Sequence, residues 1–177
     1  TATNYIWNNG QTGTQLNVTT QGFSGTNTYT VTGINPTTGC QAQDAVQLTV
    51  NALPLVNAGN DQSVCSGAVV NIQATGTASN YTWNNGQSGS LLNISTQGLS
   101  GVNTYTVTGI NTATGCQAQD AVQLTVNALP LVNAGNDQSV CSGAVVNLQA
   151  TGTATNYIWN NGQTGTQLNV TTQGFSG

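Results

Sequence analysis

The chain has 177 residues, no Lys, Arg or His, and a formal net charge of −4 at pH 7 from four aspartates. With no cation to neutralise phosphates, the composition argues against nucleic-acid binding and against a polybasic membrane patch. It also lacks the His or Lys base that a Ser or Thr nucleophile needs, so no enzyme and no cofactor are expected.

Hydrophobic residues make up 37% of the chain and alternate with polar ones, which favours folded β structure over disorder. No apolar run approaches the roughly 18 residues of a membrane-spanning helix. A fixed period runs through the chain. Tyr5, Tyr81 and Tyr157 recur at 81 − 5 = 76 residues, as do Trp7, Trp83 and Trp159, Cys40 and Cys116, and Cys65 and Cys141. Thr1 to Gly25 reappears letter for letter as Thr153 to Gly177, at twice that offset, and Thr77 to Gly101 is a variant of the same stretch. Self-similarity of this kind marks a stacked array of one unit. The expected frame is the C-terminal part of a repeat over 1–51, a complete repeat over 52–127, and the N-terminal part of another over 128–177. The sequence reads as an excerpt of a longer array, with any export signal outside it.

Within the complete repeat, Leu53 to Ala58 reads as an edge strand, because Pro54 lacks the N–H that a central strand needs. The Asn- and Asp-rich loop that follows offers a candidate for a hard cation such as calcium. Its oxygens would come from Asn57, Asn60 and Asp61, with Asp120 as a second carboxylate. Asx turns account for the same residues, and no metal is expected. Gln62 to Cys65 is the second strand. Val70, Ile72 and Ala74 alternate with Asn71 and Gln73 in a half-buried third.

Tyr81 and Trp83 share one face of the next strand. It ends at Asn84-Asn85-Gly86, where the Asn-Gly pair predicts a tight turn with positive φ angles. Leu92 and Ile94 form a short strand. Tyr105 and Val107 point inward between Thr104, Thr106 and Thr108. Val122, Leu124 and Val126 close the repeat. Seven short strands at this spacing predict an all-β, two-sheet sandwich with Trp83, Tyr81, Tyr105, Val107 and Leu124 in its core. The threonine ladders, including Thr26, Thr28, Thr30 and Thr32, read as solvated strand faces, with ice or glycan contact as the rival reading. Two aspartates per repeat also resemble a glycosidase pair in number, but active sites are not tiled along an array.

A repeat of this size buries a modest core, and its two cysteines offer a staple. They point to an oxidising, extracellular setting; buried free thiols in a cytosolic protein are the rival. No CxxC spacing and no His favours zinc. Of the possible pairings, Cys65 with Cys116 is expected, since a sandwich can bring the second strand beside the start of the last. Pairing Cys40 with Cys65, or Cys116 with Cys141, would join points about 35 Å apart at ~3.3 Å per residue, beyond disulfide reach. Cys40 and Cys141 then find partners outside the sequence.

Cys-Ser-Gly-Ala-Val-Val, Tyr-Thr-Trp-Asn-Asn-Gly, Asn-Thr-Tyr-Thr-Val-Thr-Gly, Thr-Gly-Cys and Val-Gln-Leu-Thr-Val together resemble immunoglobulin-like and PKD-like repeats. Such repeats build very large surface proteins of gliding bacteria that use type IX secretion. The resemblance implies tandem immunoglobulin-like sandwiches in cell-surface adhesins, stalks or extracellular filaments. Short Pro-stiffened joints such as Val126 to Pro130 predict an extended rod. The expected role is that of a rigid, disulfide-stapled spacer at the cell surface whose partners are copies of itself in a filament or bundle. The alternative is a multivalent array that grips surface glycans or a protein on another cell.

Overall fold

The computed structural model describes residues 4–172, and every named element among them is a β-strand. The first copy contributes β1 (Asn4–Trp7), β2 (Gly25–Ile34) and β3 (Gln41–Val50). The middle copy contributes β4 (Val56–Asn57), β5 (Gln62–Cys65), β6 (Val69–Gln73), β7 (Thr75–Gly76), β8 (Asn80–Trp83), β9 (Leu91–Ser95), β10 (Gly101–Ile110) and β11 (Gln117–Asn127). The last contributes β12 (Val132–Asn133), β13 (Val145–Gln149), β14 (Thr151–Gly152) and β15 (Gln167–Thr171). By internal contact these fall into two compact units. One holds the described residues up to Gln62 with Val69–Ser95 and Val102–Leu124. The other holds Ser63–Ala68, Thr96–Gly101 and the described residues from Thr125 onward.

Strand order in the middle copy is β5-β11-β10-β8 in a four-stranded sheet, with β6-β9 and β4-β7 as two-stranded ladders. The alternation read in the sequence fixes the register. Val70 faces Ile94 and Ile72 faces Leu92 across β6 and β9, while Val107 faces Trp83 across β10 and β8. A slip of one residue would turn each apolar set to water.

Val70, Ile72, Leu92 and Ile94 are buried on one face of the ladder, and Trp83, Val107, Val122, Leu124 and Val126 on one face of the sheet. Each layer hides one face and wets the other, as sheets packed face to face do. Each such side chain contributes about 1.5–3 kcal/mol by leaving water. The same residues in the first copy are less covered. Val122, on a strand flanked on both sides, is fully buried, whereas its counterpart Val46, on the edge strand of the sheet β1-β2-β3, is 56% exposed.

Three sequence expectations are corrected. Tyr81 and Tyr105 are half-buried and border the core, while Trp83, Val107 and Leu124 lie within it. Tyr81 sits on β8, the edge strand of the sheet. The first expected strand shrinks to Val56 and Asn57, with Pro54 buried ahead of it. At Asn84-Asn85-Gly86 only the glycine has positive φ, at 87°. The Gly86 N–H bonds the Trp83 carbonyl at 2.9 Å and the Trp83 N–H bonds the Gln87 carbonyl at 2.8 Å. That is the three-residue hairpin loop with a left-handed glycine, which spares Asn85 the strained conformation a two-residue turn would impose.

Candidate functional site

The Asn/Asp loop holds strands together. Asn57 Oδ1 accepts the Gly59 N–H at 2.7 Å, closing an Asx turn. Asp61 Oδ1 accepts the Gln123 N–H at 2.8 Å, and Asp120 Oδ2 accepts the Ala58 N–H at 2.8 Å. Both carboxylates thus tie the start of the repeat to β11. Asn60 is exposed in the same loop. Among the described residues no group of three or more His, Cys, Asp or Glu side chains gathers in a metal-binding arrangement.

The Tyr-x-Trp strand borders a second feature that recurs in every copy. In the middle copy Ser79, Asn80, Tyr81, Thr82, Ser88, Gly89 and Ser90 line an open cleft of about 470 Å³. Counterparts of about 510 Å³ around Tyr157 and about 400 Å³ around Tyr5 lie at the same place in the other copies. The walls are held alike: Trp83 Nε1 donates to the Gly89 carbonyl at 3.1 Å, Trp7 Nε1 to Gly13 at 3.1 Å, and Trp159 Nε1 to Gly165 at 3.0 Å. Hydroxyls and amides around one aromatic ring can contact a neutral polar ligand.

The threonine ladders are partly occupied. Thr108 Oγ1 accepts from Gln119 Nε2 at 2.8 Å and Thr32 Oγ1 from Gln43 Nε2 at 2.9 Å, so these hydroxyls serve cross-strand bonds.

All four cysteines are unbonded, with Cys40, Cys65 and Cys141 exposed and Cys116 half-buried. The expected bond between Cys65 and Cys116 is not formed, and strand direction explains why. Asp61 meets Gln123, and Ser66 donates its N–H to the Asn127 carbonyl at 2.8 Å, so β5 and β11 advance in the same direction. Cys65 therefore lies at the finish of β11 and Cys116 just before its start. The 11 residues of that strand separate them by roughly 36 Å at ~3.3 Å per residue.

Two polar residues that carry weight in the structure were not singled out in the sequence. Thr96 is fully buried, and its Oγ1 donates to the Ala68 carbonyl at 2.9 Å. Gln87 donates through Nε2 to the Asn93 carbonyl at 3.0 Å and accepts the Asn93 N–H at 3.2 Å, mimicking a backbone pair. The recurrence of Asn-Asn-Gly-Gln in each copy was the available signal.

No protein-family model matches the chain, and no curated protein matches it. Among solved structures the chain is similar to the N-terminal eight Ig domains of the Down syndrome cell adhesion molecule, with a TM-score of 0.34 and 15% identity over 94% of this chain. The chain covers 32% of that structure's length.

Proposed function

We propose that this chain is a structural spacer: a run of immunoglobulin-like repeats in an extracellular filament or giant surface adhesin, extended into a rod and associating sideways with copies of itself. The observation that supports it best is the recurrence of the same internal hydrogen bonds at the same repeat positions. The Trp Nε1 to Gly bond occurs three times, and the Thr96 bond to Ala68 returns as Thr172 Oγ1 to Ala144 at 3.1 Å. Polar side chains are engaged within the fold, which suits a unit whose task is to be repeated. The resemblance to surface repeats of gliding bacteria agrees with this role and with export through type IX secretion.

Small-angle scattering on the purified chain, with electron microscopy of the native assembly, tests the reading. An elongated particle that bundles into filaments is expected. A compact monomer at high concentration overturns it.

The recurrent cleft beside Tyr5, Tyr81 and Tyr157 favours one second reading, an array that binds neutral glycans through many weak, identical contacts. A glycan array separates the two. Binding that disappears in a Tyr81→Ala variant only when the other two tyrosines are also replaced would favour the array, and silence across neutral glycans would favour the spacer.

A further inference from the structure

The geometry points to a disulfide that crosses from one repeat into the next, joining the early cysteine of a repeat to the late cysteine of the repeat that follows it. Two contacts carry this. Cys116 Sγ lies 3.8 Å from the carbonyl oxygen of Asn51, the residue that follows β3. Cys65 immediately precedes Ser66, whose N–H bonds the carbonyl oxygen of Asn127 at 2.8 Å. Asn51 and Asn127 hold the same place in the repeat, since 127 − 51 = 76.

Laying the repeat on itself therefore brings the two kinds of cysteine to one carbonyl. The early cysteine belongs to the repeat that ends at that asparagine, and the late cysteine to the repeat that begins after it. Cys40 shows the contrast. Its Sγ lies 4.0 Å from the carbonyl of Thr38, two residues away. The pairing differs from both within-repeat and adjacent-cysteine bonds, and spans (116 − 65) + 76 = 127 residues of chain.

The bond forms by exchange with a low-molecular-weight disulfide such as oxidised glutathione. The Cys65 thiolate attacks one sulfur and releases one glutathione thiol. The following repeat's cysteine, as thiolate, then displaces the second, so that two protein thiols become one disulfide and one external disulfide becomes two thiols. This inference rests on the reading of the chain as an array, and its test is chosen to fail separately from it.

The ends of the chain share an identical 25-residue segment, so the full chain can be joined to itself through one copy of that segment without breaking the period. Such a doubled chain carries eight thiols, twice the four of the single chain. After equilibration with oxidised glutathione and non-reducing digestion, two bonds are expected: Cys65 of the first copy to Cys40 of the second, and Cys141 of the first to Cys116 of the second. Four of the eight cysteines are then held in protein disulfides. The single chain, equilibrated in parallel, yields no peptide in which two of its own cysteines are joined.

A Cys65→Ser variant of the first copy should lose the first bond and keep the second, which guards against misfolding as an explanation. Recovery of Cys65 bonded to Cys116, or a doubled chain whose thiols all remain free, overturns the inference. A doubled chain that is elongated in scattering and fully reduced removes the crosslink and leaves the spacer. One that is bonded as expected but compact removes the rod and leaves the crosslink.

Discussion

Asp120 accepts the backbone N–H of Ala58 at 2.8 Å from 62 residues away, and Ala58 is fully buried. The carboxylate thus satisfies a donor that water cannot reach, at the point where the chain turns from β4 toward β5. Its counterpart Asp44 accepts the N–H of its own neighbour Ala45 at 2.9 Å.

Asp120→Ala should therefore lower stability by about 1–3 kcal/mol, the cost of a buried donor left alone. Asp44→Ala should change it by less than about 0.5 kcal/mol, as an exposed substitution does. Urea titrations of the two variants check the contrast, and equal midpoints would contradict the assigned role.

Gly109 sits where two side chains close over the backbone. A Cβ there would lie 2.5 Å from Val56 Cγ2 and 2.7 Å from Ala78 Cβ. Gly109→Ala should cost about 1–3 kcal/mol by overpacking. Gly89→Ala meets no atom within 4 Å, but its φ of 100 strains an L-residue by roughly 1–2 kcal/mol. Circular dichroism melts should show both losses. A compensating Val56→Ala should restore part of the first loss, since the Ala78 contact remains, and none of the second.

Thr96 is a buried hydroxyl whose donation to Ala68 holds the loop between β5 and β6. Thr96→Val keeps the shape and removes the donor, and should cost about 0.5–1.5 kcal/mol. Thr96→Ser keeps the donor and loses a methyl group worth roughly 1 kcal/mol. Amide exchange separates the two: protection at Ala68 and its neighbours should drop in the valine variant and hold in the serine variant.

The proposed self-association should be almost independent of salt. With no cation and four aspartates in 177 residues, the contacts proposed between copies would be polar and uncharged. Sedimentation at low salt and at about 1 M, where the Debye length is about 3 Å, should give the same assembly. A strong salt dependence would mean that the aspartates govern the contact.

The alternation of apolar and polar residues made much of the core legible before the structure. Trp83, Val107 and Leu124 follow from period two alone, and each is buried. Tyr81 and Tyr105 have the same period yet stay half-exposed, because period assigns a face and does not say how fully that face is covered. The cysteines were harder. Their pairing depends on whether β5 runs with β11 or against it, and no residue type in either strand records that choice. Asp61 and Asp120 were noticed as oxygen donors, but their partners are backbone amides, which carry no signature in sequence.

The parallel course of β5 and β11 bears on how such a repeat responds to tension. A pull on the two ends of the middle copy drags these neighbouring strands in opposite directions along their own length. The load then falls in shear on the bonds from Ser66 to Asn127 and from Gln123 to Asp61 together, where an antiparallel pair would open one rung at a time. A unit joined in this way yields late and all at once.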